Sequence, residues 1–138
     1  MGYLVLVAWV IQASFGVTLL VSWARHARGQ DGGLVLPHAL MMVAFLAPWT
    51  AFVATGLSVW AWVGFGVLTA FIGFGDAAMV RRARALRGEG SRGLRDYFPA
   101  IGVATSGALG RRTNFHMWFS PVVWLGSLAV AIVATAAV

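Results

Sequence analysis

Three ionisable side chains fall inside apolar runs of this sequence: His38 in LVLPHALMMVAFLAPW, Asp76 in FIGFGDAAMV and His116 in NFHMWFSPVVWL. Ionisable groups are costly in hydrocarbon, so inside a membrane segment each is a functional candidate with a partner to be named. Neutral imidazole is an axial ligand for haem iron, and histidines on diagonally related helices of a bundle can hold one haem b between them. A histidine with a carboxylate nearby can also donate, accept and relay protons, as a quinone headgroup contact or a proton-uptake site requires. The plainer reading leaves both imidazoles at the interface, bonded to headgroups, loop carbonyls or water. Two features weigh against haem. On helical spacing His38 shares its face with the bulky Met42, Phe45 and Trp49, whereas His116 shares its face with Ser120 and Ser127. The two also differ in depth within their apolar runs. Asp76 shares a face with Thr69 and precedes Arg81 by five residues. It is expected either to pair with Arg81, Arg82 or a headgroup amine, or to relay protons.

The elements that carry these residues follow from composition. The chain has 138 residues, 60% hydrophobic and 10% charged, with a mean hydropathy of +0.83. Soluble domains are about 45–50% apolar and about 25% charged, so a water-soluble globule is excluded. Cysteine is absent, which removes disulfides, zinc–thiolate sites, iron–sulfur ligation and thiol nucleophiles. The net charge of +6 comes from ten arginines and no lysine. In so apolar a chain that charge belongs beside lipid headgroups rather than nucleic acid. Heavy use of arginine, alanine, glycine and valine fits a GC-rich bacterial genome, and with it a multi-pass protein of the bacterial inner membrane.

Apolar runs predict an all-α, integral membrane four-helix bundle forming one domain, with spans at about 3–23, 34–55, 60–80 and 115–138. Pro37 falls in the first turn of the second span, where a missing donor costs little, and Pro48 is expected to kink it. Gly56 to Val59 is a short turn that makes spans two and three a tight hairpin. Basic loops cover 24–33 and 81–112, and both lie on one side of a four-span topology, so the chain is expected to be N-out and C-out with the basic loops cytoplasmic. Tyr3, Trp60 and Trp62 would mark the outer boundary, and Trp23, Tyr97 and Trp118 the inner one. Tyr97 to Leu109 is uncharged and too short to span, which suits an interfacial or re-entrant segment.

Small residues predict the contact faces: Ala44, Ala47, Ala51 and Ala54 in span two; Gly66, Ala70, Gly73 and Ala77 in span three; Ser120, Ser127, Ala131 and Ala134 in span four. The chain also divides into two units of span, basic loop and span, in which His38 and His116 hold corresponding positions. Gln12 is expected to hydrogen-bond a neighbouring helix, and His26 to titrate in water. Arg81, Arg82, Arg84 and Arg87 would grip anionic lipid or an acidic partner, besides setting topology. No nucleophile–base pair, phosphate loop or series of intramembrane acids is present. The expected function is therefore a small membrane subunit of a larger complex, preferably an electron-transfer assembly, contacting haem b or quinone and without catalysis of its own. A cofactor-free accessory subunit is the alternative, and a small transporter or channel the third reading.

Overall fold

The computed structural model describes residues 1–27, 29–88 and 96–137. Those residues form α1 (Gly2–His26), α2 (Gly32–Ala44), α3 (Leu46–Thr55), α4 (Ser58–Leu86), α5 (Tyr97–Thr105) and α6 (Arg111–Ala136). Segments α2 and α3 are one broken span, so four helices are long and apolar enough to cross a membrane: Gly2–His26, Gly32–Thr55, Ser58–Leu86 and Arg111–Ala136. The molecule is a multi-pass helical membrane protein. The break falls at Phe45, whose backbone stays right-handed helical at φ −52°. Pro48 lies three residues on and has no N–H to give the Ala44 carbonyl, which is the physical cause of the interruption. The hairpin between α3 and α4 is tighter than expected: only Gly56 and Leu57 separate the helices, with Gly56 left-handed at φ 73° and its N–H on the Phe52 carbonyl.

Helix α4 is longer than its apolar run. It continues to Leu86, so Arg81, Arg82 and Arg84 project from helix, not from the loop expected to begin at residue 81. Helix α6 likewise starts early, placing Arg111 and Arg112 in its first turn. Backbone hydrogen bonds are satisfied by continuing the helix, and arginine is a good helix former whose long stem reaches back to polar surroundings. The expected interfacial segment contains α5, which buries Ala100 and Ala104 against Val80 and Ala83 of the α4 extension and Leu109. Arg28, Glu89, Arg92 and Arg95, also part of the expected basic loops, lie outside the described residues.

Around the bundle, α1 packs on α6, α6 on α4, α4 on α2 and α3, and α2 back on α1. This order makes α2 and α6 diagonal. The main core joins Val5 and Trp9 of α1, Phe45 and Trp49, Ala61 and Leu68 of α4, and Val123, Val130 and Ala131 of α6. Trp9, Phe45 and Trp49 stack in series, with ring centroids 6.2 and 5.1 Å apart. Indole N–H groups cross-tie the helices, Trp49 to the Gly2 carbonyl, Trp62 to Thr135 Oγ1 and Trp124 to Thr69 Oγ1.

Two of the three expected small-residue contact faces point outward. Ala44, Ala47 and Ala54 are exposed, as are Gly66, Ala70 and Gly73, while the α6 face with Ser127 and Ala131 is buried. The reason is steric complementarity between unlike faces. The aromatic side of α2 and α3 fits into α4 where Gly64 leaves space, and a methyl there would meet Trp49 and Phe45 at 3.1 and 3.2 Å.

Candidate functional site

The two span-embedded histidines converge. Diagonal helices α2 and α6 bring the His38 and His116 rings to a centroid separation of 6.4 Å, with their planes at 84°. Along α4 the layer lies between Ala61 and Leu68 of the main core and Val80 and Ala83 of the second apolar cluster. The contrast between a bulky face on α2 and a small face on α6 does not keep the rings apart. Each ring rests instead on a glycine of a side helix. A Cβ on Gly75 of α4 would stand 2.8 Å from His38 Cε1 and 3.0 Å from both ring nitrogens, and one on Gly16 of α1 would stand 3.3 Å from His116 Cε1.

Further polar contacts hold the pair. His38 Nδ1 lies 3.0 Å from the Phe71 carbonyl of α4. A ring nitrogen facing a carbonyl must donate, so Nδ1 carries a proton, and in the neutral ring Nε2 then carries the lone pair, the arrangement in which a protein presents imidazole to a metal. Gln12 of α1 donates from Nε2 to the His116 carbonyl at 2.8 Å, the interhelical bond expected of it. Gln12 Oε1 and His116 Nδ1 are both buried with no hydrogen-bond partner. Sequence reasoning did not single out Gly16, Gly75 or the Phe71 carbonyl. Gly75 was within reach, since a glycine next to Asp76 in a long span asks what lies against it. A backbone carbonyl carries no sequence signal.

Asp76 occupies the next position of α4 after Gly75. Its side chain is exposed on the bundle surface, where it lines a cavity of about 290 Å³ with Gly73, Ala77, Arg84 and Tyr97. The anticipated pairing with Arg81 is replaced by another. Arg81 Nη1 donates to Asp31 Oδ1 at 2.9 Å, tying the start of α2 to the end of α4. Asp31 is left-handed at φ 57°, a conformation that a short polar residue tolerates, and it reaches Arg81 from there. Arg82 turns to a different cavity, shared with Arg111 and Arg112. Arg84 borders the Asp76 cavity, and Arg87 caps α4. His26 bonds the Ser22 carbonyl of its own helix through Nδ1.

Among the described residues no group of three His, Cys, Asp or Glu side chains could hold a metal ion. Two imidazoles without a third protein ligand suit a metal that arrives already coordinated. Haem iron is such a metal, because the macrocycle supplies the equatorial nitrogens and the protein only the axial ligands. Imidazoles sharing one metal through bonds of about 2 Å have ring centres about 6 Å apart when they face each other, close to the separation of His38 and His116. Neither of the cavities just described borders His38 or His116. Compared with protein-family models, with curated proteins and with solved structures, the chain matches none.

Proposed function

We propose that this chain is a membrane subunit of an electron-transfer complex that holds one b-type haem between His38 and His116. The observation carrying this reading is the meeting of two histidines from diagonal helices at a centroid distance of 6.4 Å. Three further features support it. The Phe71 carbonyl orients His38 by accepting from Nδ1, which leaves Nε2 as the nitrogen for a metal. Glycines on α1 and α4 leave both rings room beside the side helices. No third protein ligand accompanies the pair among the described residues. Bound there, the haem would supply one-electron chemistry, while the chain sets axial ligation and a low-polarity surround. In this proposal both termini face outward, the arginine-rich end faces the cytoplasm of a bacterial cell, and that end anchors soluble partner subunits.

The test is a reduced-minus-oxidised visible spectrum of the protein purified from haem-replete cells. A b-type band that is lost in both His38→Ala and His116→Ala is the expected result. A featureless wild-type spectrum, including after addition of haem, overturns the haem reading. The second reading, a cofactor-free accessory subunit, is favoured by one observation: the histidine rings already rest in contact with Gly75 and Gly16. It predicts that both histidine variants assemble with wild-type partners and that no band appears in either case.

A further inference from the structure

At the basic end, on the α1 side of α6, a cavity of about 340 Å³ gathers Arg82 from α4 with Arg111 and Arg112 from α6. These residues are distant in sequence and come together because α4 and α6 both extend past their apolar runs. Thr18, Ser22 and Thr113 line the same space, with the Thr18 hydroxyl donating to the Phe15 carbonyl of its own helix. Its apolar wall is Leu19 of α1 and Leu109. No carboxylate borders it, and among the described residues none of these three arginines forms an ion pair. The backbone adds to the field, since α6 begins at Gly110 with no side-chain cap, leaving first-turn N–H groups free.

We propose that this cavity binds the phosphate of an anionic phospholipid. Guanidinium groups match phosphate oxygens in a planar, bidentate way, and the hydroxyls of Ser22 and Thr113 and the helix N–H groups are further donor types for a phosphate. Arg82, Arg111 and Arg112 bear the charge. A zwitterionic headgroup brings an ammonium that finds no carboxylate in the cavity, so net negative headgroups are selected. The lipid source follows from position. Ser22 lies one helical turn before the end of α1, where the span leaves its apolar run, and Leu19 and Leu109 offer contact to the glycerol and the first acyl carbons. The site depends on the chain spanning a bilayer and not on the haem reading.

The experiment is native mass spectrometry of the detergent-solubilised protein after equilibration with equal amounts of phosphatidylglycerol and phosphatidylcholine. Wild type is expected to retain phosphatidylglycerol with a preference of up to about a hundredfold, taking each of the three arginines near a headgroup at about fivefold. Arg82→Gln/Arg111→Gln/Arg112→Gln abolishes that preference, and Arg25→Gln, outside the cavity, preserves it. Should the triple variant lose helicity by circular dichroism, the single Arg112→Gln is read instead, with a drop of about fivefold. Equal retention of both lipids by wild type, or undiminished preference in the arginine variants, overturns the proposal. Displacement of phosphatidylglycerol by millimolar inorganic phosphate overturns the lipid as occupant and assigns the cavity to free phosphate.

Discussion

At the residue scale, the glycines of α4 separate structural tolerance from function. Gly73 and Gly75 are two positions apart, yet a Cβ on Gly73 meets nothing within 4 Å whereas one on Gly75 runs into the His38 ring at 2.8 Å. Gly75→Ala must therefore displace the imidazole from its carbonyl partner, an overpacking cost of about 1–3 kcal/mol. Gly73→Ala is expected to be neutral or slightly stabilising, since alanine is the better helix former. Unfolding both variants in mixed micelles checks the stability difference, and under the haem reading only Gly75→Ala loses the absorbance band. Loss of the band in both, or in neither, would contradict the placement of His38. The histidines themselves were legible in the sequence as candidates, because ionisable groups inside apolar runs stand out. Their meeting was not, because ring separation depends on helix rotation and crossing.

At the scale of elements, the indole cross-ties and the hairpin turn are the testable joints. Trp124 Nε1 donates to Thr69 Oγ1 at 3.0 Å between α6 and α4. Thr69→Val removes the acceptor and is expected to cost about 0.6 kcal/mol, the average for interhelical bonds in membranes. Gly56 ends α3 with φ 73° and a Cβ would meet no neighbour there. Gly56→Ala thus isolates backbone strain, about 1–2 kcal/mol from the left-handed conformation alone. Denaturant titration followed by helical circular dichroism measures both, and a Gly56→Ala variant as stable as wild type would show that the turn relaxes. The number of spans and their approximate positions were readable from the apolar runs and their length. The extension of α4 to Leu86 was not, because hydropathy marks where lipid ends and not where the helix does.

At the scale of the whole molecule, orientation and end-to-end charge asymmetry come forward. Absence of cysteine makes single-cysteine scanning clean. Leu57 lies in the turn at the far end of the bundle and Ser106 follows α5 at the basic end, and both are exposed. In intact bacterial cells treated to admit reagent to the periplasm, Leu57→Cys should react with a membrane-impermeant maleimide and Ser106→Cys only after lysis. The opposite pattern reverses the proposed topology.

Composition and the spacing of apolar runs by themselves determined that this chain is helical, crosses a bilayer and collects its arginines between alternate spans, because burying backbone in lipid leaves a helix as the solution for single apolar segments. Tertiary structure alone decided which faces meet. It turned Ala44, Ala47 and Ala54 of the second span and Gly66 and Gly73 of the third toward the outside, and fitted Phe45 and Trp49 into the notch at Gly64. It also set His38 beside His116, and took Arg81 to Asp31 while sending Arg82 to the α6 arginines. The physical reason is that side-chain period assigns a residue to a face of its own helix, whereas the partner of that face is chosen by complementarity of shape and charge between helices distant in sequence.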